Sequence, residues 1–527
     1  MRFDPLRNRT FTRKLRLLRA VVSALILAIA ISGSIFAADD VQRIEPQETK
    51  KLLKQAKKLF RKGEIAEAEK ILRRVIATNP QNAEAKLDLA YLLLKRKRLV
   101  DAYNYAFEVA KEDKDNAYAF AVLGATYLSA GNFADARILL NNAIVVDDDE
   151  ALGWAGLGML DFYENRVDDS IYNLERAVQL DGKEADYAFA LAQVSARAER
   201  YKEAADAYQK YLRIAPDNDR ERTERIKGLI KFLRYLGKRP SLYDLDGAGQ
   251  TEVPVRLVNN RPVVQIKLKD NEPPLNFVLD TGSGISVISD LTAERLKIKP
   301  VTKGGVARAL GGDGKFDIVY GFIRKVSIGD VAVRNVPVYI RKFHNASERI
   351  DGYIGLSLIS KYVTTIDYGN LTFSLVRKDN YETPPENADA MTVPLRLTSS
   401  GFLSGQVKLH GIEFPLNFIV DTGASLSVIS EDLASSEELS GFIQDERMRV
   451  VGAAGVTEDV PSFLLPSVTF GRFSRNDLKA IALDLDLINE TSGFEQAGIL
   501  GGNFLKNYRL TFDFKQSMVT FTPTDQD

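Results

Sequence analysis

The stretch Pro274-Leu-Asn-Phe-Val-Leu-Asp-Thr-Gly-Ser-Gly-Ile-Ser-Val-Ile-Ser289 returns later in the chain as Pro415-Leu-Asn-Phe-Ile-Val-Asp-Thr-Gly-Ala-Ser-Leu-Ser-Val-Ile-Ser430. In each copy an apolar run leads into Asp-Thr-Gly and a second apolar run follows, which predicts strand, tight loop and strand. Upstream, Val253-Pro-Val-Arg-Leu257 is matched by Val393-Pro-Leu-Arg-Leu397. Downstream, at the same spacing from each aspartate, come the glycine-rich turns Leu310-Gly-Gly-Asp-Gly314 and Val451-Gly-Ala-Ala-Gly455, which read as hairpin tips. An apolar pair followed by glycine comes next, Tyr353-Ile354-Gly355 and Ile499-Leu500-Gly501, and then strands opening at Tyr362 and Tyr508 that include Asp367 and Asp513. A duplicated all-β region is expected, with one lobe over 253–380 and the other over 393–525.

Two Asp-Thr-Gly loops at matched positions, each with a glycine-rich turn and an apolar-apolar-Gly element, resemble the retropepsin and pepsin clan of aspartic proteases. The resemblance covers both halves of the β region. Both copies carry a flap-like turn without tyrosine, so the pair looks more like a retropepsin dimer fused into one chain than like pepsin. By that resemblance Asp280 and Asp421 are the catalytic pair, and no metal or organic cofactor is implied. Thr281 and Thr422 would hydrogen-bond across the lobe interface, and Gly282 and Gly423 would allow the tight loop. Gly355 and Gly501 would let a neighbouring strand pass close to each loop. Gly311, Gly312 and Gly452 would let the flaps close over an extended peptide; plain hairpin tips are the alternative. Ser283 has a hydroxyl where its counterpart Ala424 has none, an asymmetry that either tunes the shared proton or has no effect.

The chemistry asks for such a pair. Two carboxylates held close cannot both ionise cheaply, so one keeps a proton while the other serves as base toward water. Which aspartate takes which part is left open by the sequence, because the two titrate together.

Before the β region, small residues recur every 34 positions: Ala56, Ala90, Gly124, Gly158 and Ala192, with a second series at Ala68, Ala102, Ala136, Ser170 and Ala204. The second series keeps a constant offset from the first, as two helices of a hairpin that cross closely would require. Leu123, Gly124, Tyr127, Ala136, Ala143, Trp154, Leu157, Gly158 and Ala177, with Pro80 and Pro216 at unit ends, resemble tetratricopeptide repeats. The expected architecture is therefore multidomain: an α-solenoid of five such hairpins over 49–218, then the all-β two-lobed acid-protease fold. Residues 219–238, with Ile226, Leu229, Phe232 and Leu236, predict an amphipathic helix capping the last repeat, and 239–252 reads as a linker. Trp154 sits at a repeat core position, and the acidic run Asp147–Glu150 reads as a solvated turn.

Composition excludes several other chemistries. Cysteine is absent and only His344 and His410 are present, so thiolate catalysis, disulfide frameworks, His or Cys zinc sites and a Ser-His-Asp arrangement lack raw material. The 71 basic residues balance 71 acidic ones, so bulk charge gives no pointer to nucleic acid. Residues 1–38 read as a targeting segment: Arg2, Arg7, Arg9, Arg13, Lys14, Arg16 and Arg19 precede the uncharged apolar run Ala20–Ala38. Both a cleaved signal peptide and a retained inner-membrane anchor fit, and in each case the remainder is exported to the periplasm or envelope; lipid attachment lacks its cysteine.

The functional expectation is an exported aspartic endopeptidase whose repeats dock a protein substrate or regulator. The repeats acting only as a spacer, a catalytically inactive peptide-binding scaffold, and self-processing near Gly247 are the alternatives.

Overall fold

The computed structural model describes residues 45–344, 348–385 and 387–524. The N-terminal targeting segment, including 20–38, lies outside them. Among the described residues no helix is long and apolar enough to cross a membrane. The chain divides into two compact units, one centred on the repeats and one containing residues 221–527.

Among the described residues, ten helices run from Pro46–Arg61 to Tyr201–Ile214 and pair into five hairpins. The small-residue series explains the spacing of the pairs. A Cβ added at Gly124 would lie 2.6 Å from Leu140 Cγ, and one at Gly158 would lie 2.6 Å from Leu174 Cγ. The Ser170 hydroxyl donates to the Gly158 carbonyl at 2.6 Å, joining one member of each series. Asn82 and Asn116, one repeat period apart, cap successive hairpins by accepting the N–H of Ala85 (2.8 Å) and Ala119 (3.0 Å). The turn inside every hairpin has a left-handed residue at the same spacing, Gly63, Lys97, Gly131, Asn165 and Glu199. Only two are glycine, so sequence inspection passes over this period. Trp154 packs edge-on to Tyr172 and donates its indole N–H to the Asp148 carbonyl at 2.8 Å. The array also curls on itself: Arg61 pairs with Asp181 at 3.3 Å, and Lys95 pairs with Asp186.

Helix Arg220–Leu236 packs on the β sheet as well as on the last repeat, its expected partner. Residues 221–236 belong to the β-rich unit, and Phe232 stacks on Tyr320 with centroids 4.3 Å apart. Leu236 and Ile318 complete that cluster. Gly228 lets the helix come so near the sheet that an added Cβ would lie 2.6 Å from Gly304 Cα. The apolar stripe read from sequence is real; strand residues cover it together with Tyr201 of the last repeat's second helix. Part of the 239–252 linker differs from expectation: Asp244–Gly247 is a strand paired antiparallel to Val331–Arg341, and Gly247 sits opposite Val331.

Each lobe repeats one strand plan. In the first, β1 (Leu275–Leu279), β2 (Val287–Ser289), β3 (Thr302–Arg308), β4 (Lys315–Ile328), β5 (Val331–Arg341) and β6 (Gly352–Ile354) follow in order. The second has β7 (Leu416–Val420), β8 (Ser427–Ser430), β9 (Ile443–Val451), β10 (Val456–Phe470), β11 (Phe473–Leu483) and β12 (Gly498–Leu500). The pairings match: β1 lies parallel to β6 and β7 to β12, while β6 and β12 run antiparallel to β2 and β8.

The lobes share a base sheet. Tyr362–Asp367 pairs antiparallel with Tyr508–Asp513, and Thr365 and Thr511 face each other with hydroxyls 3.0 Å apart. The duplicated Val253 and Val393 stretches flank this sheet on opposite sides, Val253 opposite Phe373 and Val393 opposite Val519. Strands Thr372–Arg377 and Met518–Pro523 bury alternate positions, which fixes their register.

Candidate active site

Both Asp-Thr-Gly loops leave the end of a buried strand. The Asp280 N–H donates to the Ile354 carbonyl and the Asp421 N–H to the Leu500 carbonyl, each at 3.0 Å. The apolar-apolar-Gly elements thus set the height of each aspartate. Neither Gly355 nor Gly501 tolerates a Cβ: it would lie 2.7 Å from the Ser283 carbonyl oxygen in one copy and 2.4 Å from that of Leu426 in the other. Ser286 and Ser427, in matched positions, accept the N–H of Gly355 and Gly501 at 3.1 Å. Sequence reasoning passes over these serines, although their recurrence at one spacing after each aspartate is a visible signal.

The threonines interlock. Thr281 and Thr422 are fully buried, and each hydroxyl accepts the other's backbone N–H, at 3.0 and 3.1 Å. Each hydroxyl also donates across the lobes, Thr281 to the Val420 carbonyl and Thr422 to the Leu279 carbonyl, both at 2.7 Å. The two loops are therefore tied at the residue next to each carboxylate.

The carboxylates meet above this tie. A Cβ built on Gly282 would fall 2.5 Å from both carboxylate oxygens of Asp421, and one on Gly423 would fall 2.6 Å from Asp280 Oδ1. Each loop's glycine thus makes room for the other loop's aspartate. Burial pushes the Asp280 carboxyl well above the usual carboxylate range, and the charge of Asp421 pushes it further; the Arg341 guanidinium opposes this. Asp421 is also raised by burial, but more N–H donors oppose the rise. The Gly423 N–H reaches Asp421 Oδ1 at 2.7 Å. Burial raises both carboxyls, so the arrangement favours one proton shared by the pair.

The Ser283 hydroxyl donates to the Ile285 carbonyl at 2.7 Å, which braces its own loop. The glycine-rich turns close the β3–β4 and β9–β10 hairpins, and their tips touch. The Ala454 N–H donates to the Leu310 carbonyl at 3.0 Å, and a Cβ on Gly311 would meet the Gly455 carbonyl oxygen at 2.4 Å. Gly311 and Gly312 have φ of +94° and +57°, and Gly452 lies where a Cβ would be 2.1 Å from the Leu310 carbonyl oxygen. The crowding explains glycine at the tips. Arg341, absent from the residues singled out by sequence, donates to the Ala453 carbonyl at 2.7 Å. His410 is exposed and edge-on to Phe442. No cluster of three or more metal-ligating side chains occurs among the described residues.

The aspartyl protease family model matches residues 264–358 and again 405–504. Tetratricopeptide repeat models match 59–123 and 155–219. No curated protein matches the chain. Among solved structures, a thermophilic tetratricopeptide repeat protein of Thermus thermophilus is 21% identical, with 36% of this chain and 98% of that one covered and a TM-score of 0.30. PilF of Pseudomonas aeruginosa is 15% identical, with 36% and 87% covered and a TM-score of 0.27. MamA of Desulfovibrio magneticus RS-1 is 20% identical, with 32% and 94% covered and a TM-score of 0.23. The polypeptide is thus a set of tetratricopeptide repeats followed by a duplicated aspartyl protease-like domain.

Proposed function

We propose that the protein is an exported aspartic endopeptidase that hydrolyses peptide bonds with water activated between Asp280 and Asp421, and that its repeats dock a protein substrate or regulator. The observation that carries this reading is the crossed packing of the two carboxylates, each lodged against the glycine of the other loop.

In this mechanism ionised Asp421, held by backbone N–H groups, takes a proton from water as its oxygen attacks the scissile carbonyl carbon. Protonated Asp280 hydrogen-bonds to the carbonyl oxygen and passes its proton there. The tetrahedral intermediate collapses when its C–N bond breaks, with Asp421 returning its proton to the leaving nitrogen and Asp280 recovering one from the hydroxyl. The pair ends as it began. The flap tips would exclude solvent and offer backbone groups to an extended peptide.

Export rests on the basic and apolar order of residues 1–38. Self-processing near Gly247 is the weaker reading, since cleavage there requires peeling a paired strand from the sheet. The test is incubation of the full chain with a diverse peptide mixture across pH, beside Asp280→Asn and Asp421→Asn. Cleavage by the parent alone is expected; equal cleavage by all three proteins rules the reading out.

A further inference from the structure

The duplication makes the two lobes comparable position by position, and one position facing the dyad breaks the match. Ser289, at the end of β2, pairs in parallel with Arg341; its counterpart Ser430, at the end of β8, pairs with Leu483. Leu483 belongs to an apolar cluster with Val460, Ile481 and Leu485, against which Leu310 of the opposite flap also packs. The first lobe instead places a guanidinium there. Its carbon lies 5.2 Å from the ring centre of Phe343, 5.7 Å from that of Tyr353 and 5.9 Å from that of Phe316.

This cation has aromatic faces around it but, among the described residues, no ion-pair partner. Arg341 is partly buried, and among the described residues no carboxylate lies within ion-pair distance of it. Its hydrogen bond goes to a neutral carbonyl, that of Ala453 at the tip of the other lobe's flap. Burial depresses its pKa, opposed by Tyr353 and Asp280. A desolvated guanidinium walled by aromatic rings is costly without an anionic partner, and its planar fork suits a carboxylate.

We propose that Arg341 determines specificity by binding a carboxylate side chain of the peptide beside the scissile bond on the first-lobe side, while the Leu483 side takes an apolar residue. The flap carbonyl of Ala453 holds the guanidinium until that carboxylate arrives. This rests on the peptide-hydrolysing reading above only in calling the bond scissile, since recognition itself needs no cleavage.

The experiment uses the full chain and two peptide pools differing only in Glu and Asp against Gln and Asn. Cleavage sites are read by mass spectrometry for the parent, Arg341→Leu and Arg341→Lys, and retention of each pool by Asp280→Asn is measured separately. Acidic residues are expected at one side of the cleaved bond with about a tenfold preference over their amides, the size of one charge-assisted hydrogen bond. Arg341→Leu should erase the preference chiefly through KM, and Arg341→Lys should keep part of it. A parent that cleaves without acidic preference overturns this inference and leaves the protease reading intact. Acidic retention by Asp280→Asn without cleavage by the parent supports the inference and removes the protease reading. Neither cleavage nor retention removes both, and an acidic preference that persists in folded Arg341→Leu also overturns it.

Discussion

The Thr281 hydroxyl accepts the backbone N–H of Thr422 at 3.0 Å while the Thr422 hydroxyl accepts that of Thr281 at 3.1 Å, so neither Asp-Thr-Gly loop can shift without the other. Both residues are fully buried, and each hydroxyl has a second bond to a carbonyl of the opposite lobe. Thr281→Val keeps the shape but strands the Thr422 N–H and the Val420 carbonyl. A loss of about 2–6 kcal/mol in unfolding free energy is expected, at roughly 1–3 kcal/mol for each of the two buried unsatisfied groups. Peptidase activity should fall with it while Thr281→Ser retains most of both. Denaturant titration beside kcat/KM checks this; a neutral Thr281→Val contradicts it.

The dyad also sets a pH dependence of stability. Burial and the Asp421 charge raise the Asp280 pKa above the ordinary 3.8. Between that value and the folded one the native state binds more protons than the unfolded chain, so stability falls as pH rises through this window. The favourable contribution is complete below the unfolded pKa and gone above the folded one. Asp280→Asn has no such loss, so its melting temperature should exceed the parent's at neutral pH and converge with it at about pH 3, below the unfolded pKa. Thermal melting across pH checks the sign; a variant less stable than the parent at neutral pH and equal to it in acid contradicts it.

Arg341 opposes proton binding at Asp280 through its charge. Arg341→Leu should therefore raise the pKa of the pair and move the basic limb of the kcat/KM profile to higher pH. Arg341→Lys should move it less. A limb unmoved by Arg341→Leu separates this guanidinium electrostatically from the dyad.

Gly355→Ala puts a methyl 2.7 Å from the Ser283 carbonyl oxygen and 2.8 Å from the Ile285 carbonyl carbon. Backbone must move, at about 1–3 kcal/mol for overpacking, and it moves the loop that bears Asp280. Activity should therefore fall further than stability alone accounts for. Circular dichroism melting beside kcat at saturating peptide separates the two effects.

Much of this is legible in the sequence because duplication turns weak signals into paired ones. Asp280 and Asp421, the two threonines, the loop glycines Gly282 and Gly423 and the flap glycines Gly311 and Gly452 recur at one spacing, and Gly355 and Gly501 recur in matching elements. The repeat series is legible for the same reason, since Gly124 and Gly158 stand where Leu140 and Leu174 leave no room for a side chain. Helix Arg220–Leu236 is legible as an element but only in part by its neighbours: an amphipathic stripe says that a face is covered, not by what. Asp244–Gly247 reads as linker because glycine and aspartate are poor strand formers; its pairing to β5 supplies the order. Arg341 stays hidden because a lone arginine at a strand end has no distinguishing mark until the register places it opposite Ser289, where the other lobe has leucine.

The central claim is that Asp280 and Asp421 work as one unit sharing one proton. It is tested most directly by kcat/KM for Asp280→Asn, Asp421→Asn and the double variant on the same peptide. Groups acting as a unit are strongly non-additive, so each single substitution is expected to cost at least about 10²–10⁴-fold, and the double to cost little more than either alone. Substantial activity in one single variant, or losses that simply multiply in the double, would contradict the account.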